Sequence, residues 1–196
     1  EVIESLSNNF ILYGISCHNN TDLLLEQINK YEPSVAVITN IDKYNLFINN
    51  FGNKIKDTKI LFGNDGLDEI SSDNDVNIVV ASIVGFECLK PVISAIKTNK
   101  TILVANKEIL VSAGDLISSF VINSKATLLP IDSEHNAILQ IILSSGLNFN
   151  IFHKDYYKSK INKLTITASG GPFIDYKYSD LKNVTPKEAI MHPTWN

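Results

Sequence analysis

From residue 10 onward, short runs of β-branched and aliphatic residues alternate with longer stretches whose apolar positions recur every three or four residues. The short runs suit strands buried on both faces, and the longer stretches suit helices that bury one face. The pattern predicts strands at 11–15, 35–39, 59–62, 78–81, 101–104 and 127–131. Between them, 21–30 places Leu24, Leu25 and Ile28 at helical spacing, and 88–96 does the same for Leu89, Val92, Ile93 and Ile96. Regular alternation of strand and helix implies a mostly parallel sheet, because right-handed crossovers return each strand beside an earlier one. The expected architecture is α/β, a doubly wound parallel layer whose strand-end loops form one functional rim.

Near Asn148 the texture changes to NFNIFHKDYYKSKIN, polar and aromatic without a period, which reads as a connection between domains. A further strand is expected at 164–167, followed by SGGPF at 169–173. Thr185, Pro186 and Glu188 then make a helix start, with a hydroxyl cap, proline in the first turn and a carboxylate at the third position. That helix has to be short, because His192 precedes Pro193 and is pushed out of the helical region.

Composition narrows the function. Hydrophobic residues make up 44% and charged ones 19%, so this 196-residue chain can bury a core and is not a disordered segment. A net charge of −4, with 17 lysines and no arginine, lacks the concentrated basic surface that nucleic-acid binding needs. The most apolar segment, 78–86, is less than half of the ~20 residues that span a bilayer, so no membrane role is expected. Cys17 and Cys88 are far apart and outside any CxxC spacing, which fits a reducing compartment. The first residue is Glu1 and no signal-peptide pattern follows, so the sequence reads as a piece of something longer.

Candidate chemistry gathers at LPIDSEHNA, 129–137, where an apolar strand stops at Asp132, Ser133 and Glu134. Two readings stand. Both carboxylates can converge on a hard cation such as Mg²⁺ or Mn²⁺; alternatively Asp132 or Ser133 caps a helix and Glu134 favours its positive end. Lys107, in ANKE after another strand, sits on the same rim and can donate a proton or stabilise an oxyanion, or is simply a solvated lysine. Ser169, Gly170 and Gly171 offer a phosphate cradle or a tight turn. His192 and Trp195 form either a cover for a ligand or a packed corner, and His18 either meets a nucleotide phosphate or is an ordinary surface histidine.

Four segments in order, ANKEILVSAG at 105–114, LLPIDSEHNAILQ at 128–140, TASGGPF at 167–173 and TPKEAIMHPTW at 185–195, resemble the 1-deoxy-D-xylulose 5-phosphate reductoisomerase family. A weaker likeness reaches back through SIVGFECLKPVISAIKTNKTIL to the first residues, so it covers essentially the whole chain. The resemblance implies an NADPH-dependent enzyme of non-mevalonate isoprenoid synthesis that rearranges a sugar phosphate and reduces the product to 2-C-methyl-D-erythritol 4-phosphate. It requires a divalent metal, Mg²⁺ or Mn²⁺ with Co²⁺ also a candidate. It further implies a Rossmann-like NADP-binding domain over 1–131, truncated at its start, and the beginning of an α+β catalytic domain over 132–196.

Carried over by position, the resemblance makes Asp132 and Glu134 metal ligands and, with Lys107, the catalytic group. Lys107, Ser133, Glu134, Ser169, His192 and Trp195 become substrate contacts. His18, Asn19, Asn106, Lys107 and Glu108 fall beside the cofactor. The implied partners are the sugar-phosphate substrate and, at full length, a second copy of the chain, in bacterial cytoplasm or a plastid. The family opens with a strand and a glycine fingerprint of the GSTGSIG type and continues beyond Trp195 to further phosphate contacts and a third metal-binding glutamate. Neither lies within these 196 residues, so this segment alone is expected not to turn over substrate. Many members carry Gly-Lys-Asn where Cys17, His18 and Asn19 stand, and Thr194 replaces their usual Asn. Two competing readings are a metal-dependent phosphate-transfer enzyme, for which no GxxxxGK[ST] loop is present, and a non-catalytic nucleotide-binding or assembly module.

Overall fold

A computed structural model describes residues 2–6, 8–146, 160–166 and 171–191. The chain divides into two compact units, Glu1–Phe152 and His153–Asn196.

In the first unit a short helix α1 (Val2–Ser5) precedes β1 (Gly14–Cys17), α2 (Thr21–Tyr31), β2 (Val35–Ile38), α3 (Ile41–Phe51), β3 (Lys59–Phe62) and α4 (Gly63–Ser72). The second run is β4 (Ile78–Ala81), a 3₁₀ turn (Phe86–Cys88), α5 (Leu89–Lys97), β5 (Thr101–Val104), α6 (Glu108–Ile122), β6 (Thr127–Pro130) and α7 (Ser133–Ser144). The strands form two parallel three-stranded sheets, β1-β2-β3 and β4-β5-β6. Their registers run Gly14↔Val35 and Val35↔Lys59 in one, Ile78↔Thr101 and Thr101↔Thr127 in the other.

Every residue of the central strand β2 is buried, which is why it reads as an unbroken apolar run rather than an alternating one. Ala36 and Ile38 pack with Leu24 and Ile28 of α2 and Phe47 of α3, while Val35 and Val37 pack with Leu67 of α4. Helices therefore cover both faces, as a doubly wound layer requires. Gly66 makes the second contact possible: a Cβ there would lie 2.9 Å from Leu61 Cβ and 3.0 Å from Val37 Cγ1. In the other sheet Ile102 and Val104 join Leu89, Val92, Ala95 and Ile96 of α5 and Ile109, Ile117 and Val121 of α6 in a single core.

Local signals explain the helix starts. Asn20 accepts from Leu23 N at α2, and Asn40 accepts from Asp42 N and Lys43 N at α3, each satisfying donors the helix leaves unpaired. The expectation of a strand at 11–15 is corrected to Gly14–Cys17, because Ile11 is 94% exposed and the ladder begins only where Gly14 meets Val35. The predicted helix at 88–96 begins one residue later, after the 3₁₀ turn.

In the second unit the strand expected at 164–167 is not found at 164–166, which have no regular structure; 167 lies outside the described residues. Leu164 and Ile166 are exposed, with no ladder partner among the described residues of this unit to supply the hydrogen bonds a strand needs. Positions 148–159 of the expected connection also lie outside the described residues. The helix start is as expected. In α8 (Pro186–Ala189), Thr185 Oγ1 accepts from Glu188 N, and Glu188 Oε2 accepts from Thr185 N at 2.8 Å.

Candidate active site

Because β4, β5 and β6 are parallel, their carboxyl ends share one edge, and the residues that follow each strand meet there. Asp132 follows β6 as the N-terminal cap residue of α7, yet its side chain makes no capping hydrogen bond. The helix-cap explanation of this carboxylate is thereby set aside. Its side chain is only 15% exposed, with Oδ2 at 3.3 Å from Lys107 Nζ. His135 Nδ1 stands 3.1 Å from Oδ1, and among the described residues this buried oxygen has no hydrogen-bond partner.

Burial works to raise the Asp132 pKa, but the hydrogen bond and charge of Lys107, helped by His135, outweigh it and hold the carboxyl below its ordinary value. The group is ionised near neutrality. Ser133 and Glu134 are exposed beside it, and Ser133 Oγ donates to Glu134 Oε2 at 2.7 Å. Among the described residues no three His, Cys, Asp or Glu side chains converge as a metal cluster.

Lys107 and Glu108 open α6 after β5 and are exposed, whereas Asn106 is 4% exposed. Asn106 Nδ2 donates to the carbonyls of Ile83 at 2.5 Å and Gly85 at 2.8 Å, and its Oδ1 accepts from Ile109 N at 3.1 Å. The resemblance set Asn106 beside the cofactor, and sequence reasoning missed that its amide turns inward. The signal available was an Asn three residues before the buried Ile109, the spacing of an N-terminal cap.

The comparisons with known proteins fall on these segments. The family model described as 1-deoxy-D-xylulose 5-phosphate reductoisomerase matches residues 1–114, and that of the C-terminal domain of the same enzyme matches 128–196. The chain belongs to the 1-deoxy-D-xylulose 5-phosphate reductoisomerase family.

A reductoisomerase of Clostridium kluyveri is 41% identical over the whole of this chain and 48% of its own length, and one of Thermoanaerobacter pseudethanolicus is 38% identical over the whole chain and 47% of its length. A crystal structure of DOX-P reductoisomerase in complex with NADPH, fosmidomycin and magnesium superposes with a TM-score of 0.79 at 37% identity, covering all of this chain and 47% of that one. The chain thus spans about half the length of the relatives it matches. Lys107 belongs to the segment matched by the first family model and Asp132 to the segment matched by the second, so their ion pair joins the two.

The remaining family positions lie elsewhere. His18 and Asn19 follow β1, both exposed, and each is tied to the end of β2: His18 Nδ1 lies 2.8 Å from Thr39 Oγ1, and Asn40 Nδ2 donates to Asn19 Oδ1 at 2.9 Å. Thr39 and Asn40 were not singled out from sequence. Of the SGGPF turn, Gly171–Phe173 forms a 3₁₀ turn. Ser169, His192 and Trp195 lie outside the described residues.

Proposed function

We propose that the full-length protein carrying this chain is an NADPH-dependent reductoisomerase converting 1-deoxy-D-xylulose 5-phosphate to 2-C-methyl-D-erythritol 4-phosphate. The observation that carries the reading is Asp132, a half-buried, ionised carboxylate with one oxygen paired to Lys107 and the other, beside His135, without a hydrogen-bond partner among the described residues. A buried oxygen without a donor is costly unless something binds it, and a hard divalent cation fits that donor. Mg²⁺, Mn²⁺ or Co²⁺ is the candidate, with Asp132 and Glu134 as this chain's ligands. Such an ion, when bound, polarises a carbonyl and its neighbouring hydroxyl. NADPH, when bound, supplies the reducing equivalents.

The chain's own residues do the rest. Lys107 holds a proton at Nζ on the rim and places positive charge where an enolate-like oxygen develops. Ser133 and Glu134 orient the substrate beside it, and Glu108 lies on the cofactor side of the same helix start. His18 and Asn19, pinned to Thr39 and Asn40, present a polar edge to the adenosine end of the cofactor. Ser169 would bind the substrate phosphate, and His192 and Trp195 would close over the site, excluding water from the intermediate. In this reading 1–131 serves the cofactor and 132–196 begins the catalytic domain.

The full-length protein is further proposed to be a homodimer of the bacterial cytoplasm. No helix among the described residues is long and apolar enough to cross a membrane, and the relatives compared are bacterial. The test is NADPH oxidation by the full-length protein, followed by absorbance. Oxidation that requires both the sugar phosphate and a divalent metal supports the reading. Oxidation absent under those conditions, with ATP bound in preference to NADPH, overturns it.

A further inference from the structure

The loop after β4, residues 82–85, carries a backbone that only glycine adopts readily: Gly85 has φ 80° and ψ −165°. That turn brings the carbonyls of Ile83 and Gly85 onto one point, the Asn106 amide, which is buried and whose two N–H bonds both donate there. The same side chain's oxygen takes Ile109 N, the first turn of α6. The main chain adds two bonds beside it, from Ala105 N and Asn106 N to Ala81 O. Asn106 therefore ties three pieces together: the end of β4 with its loop, the end of β5, and the start of α6. Lys107 is the next residue and reaches Asp132. Val84, held between the two clipped carbonyls, is 81% exposed on the same rim.

We infer that Asn106 is a positioning residue: its amide clips the 83–85 loop to the start of α6 and thereby fixes both the loop surface that the cofactor meets and the direction of Lys107. The side chain's donors are spent inside the protein, so its effect on cofactor runs through the loop rather than through a bond of its own. This rests on the proposed NADPH reading for its consequence, while the clip itself does not.

Two variants of the full-length protein separate clip from cap. Asn106→Asp keeps the oxygen that receives Ile109 N but turns the two-donor group into an acceptor facing two carbonyls. Asn106→Ala removes both. Amide hydrogen exchange without cofactor is the first readout: both variants should exchange at least tenfold faster at Ala105 and Asn106 (or its replacement), whereas the Ile109 amide should stay protected in Asn106→Asp and lose protection in Asn106→Ala. NADPH titration by fluorescence is the second: both variants should bind about tenfold more weakly, roughly 1.4 kcal/mol. A cofactor affinity lowered only in Asn106→Ala would make Asn106 a helix cap and overturn the proposal, as would unchanged exchange in Asn106→Asp. Wild-type protein that fails to bind NADPH while showing the exchange pattern would instead count against the functional reading and leave the clip standing.

Discussion

Lys107 Nζ lies 3.3 Å from Asp132 Oδ2, a bond between the start of one helix and the cap residue of the next across the ends of two adjacent parallel strands. A lysine at a helix N-terminus is disfavoured by the helix dipole. Here the carboxylate offsets that cost, and the lysine is held on the rim rather than left to solvent. Lys107 is 59% exposed, so the pair adds little stability, about 0–1 kcal/mol. Its value lies in placement.

Lys107→Met in the full-length protein should therefore leave the melting temperature nearly unchanged and reduce kcat by at least ~100-fold, the range expected when a proton donor or charge stabiliser is lost. Steady-state kinetics with thermal unfolding on the same sample checks it. A melting temperature that collapses along with kcat would make Lys107 structural.

Glu134 adjoins Asp132, Ser133 Oγ donates to its carboxylate, and among the described residues no lysine or histidine pairs with it. Glu134→Gln should raise the metal concentration needed for half-maximal activity and depress kcat, with folding unaffected at this exposed position. Calorimetric titration of Mn²⁺ into the metal-free variant gives a second measure. Wild-type metal affinity would remove Glu134 from the metal site.

The legible parts of the sequence were those in which one residue's chemistry answers to one neighbour. Thr185 and Glu188 form their reciprocal cap as their spacing foretold, and the β3, β4 and β5 bounds coincide with the expected 59–62, 78–81 and 101–104, although Lys59, Phe62, Ile78 and Val80 stay exposed. The Asp132 and Lys107 pairing was legible only as a shared rim; sequence cannot show that Asp132 declines to cap its helix. Ile11 misled because apolarity does not say whether a partner strand is present, and Asn106 hid because its partners are carbonyls 21 and 23 residues away.

Gly66 and Gly114 should respond oppositely to alanine. In an open helical position Gly→Ala gains about 1 kcal/mol. Gly114 directly follows a kink in α6 at Ala113 (φ −137°, ψ 24°) and a Cβ there meets nothing within 4 Å, so Gly114→Ala should be neutral to stabilising by less than that. At Gly66 the same atom would press on Leu61 and Val37 at 2.9 and 3.0 Å, and overpacking of that kind costs about 1–3 kcal/mol, enough to outweigh the helical gain. Thermal unfolding should rank Gly66→Ala below wild type. Equal stabilisation by both changes would show that α4 is free to move off the sheet.

Tyr13 and Asp73 set a pH dependence at the alkaline end. The Asp73 carboxylate beside the Tyr13 hydroxyl favours the protonated phenol and pushes its pKa up to about 12, with burial adding to it. Asp73 is held low in turn, first by the Asp75 backbone N–H, which donates to Oδ1 at 2.9 Å, and then by Tyr13. An unfolded tyrosine titrates near 10. Below that pH both states keep the proton and the phenol adds no slope. Between about 10 and 12 the unfolded chain has released a proton that the folded chain still holds, so stability falls as pH rises through this window. Tyr13→Phe carries no such proton and should lose less stability across that window. At the acid end the sign reverses: the depressed Asp73 pKa gives stability that is present above the unfolded value and lost as pH falls through the folded one, and removing the Tyr13 hydroxyl should shrink that loss. Denaturant titrations of both proteins from pH 3 to 12 test the two limbs together. Parallel curves at both ends would show that Tyr13 and Asp73 are not coupled in solution.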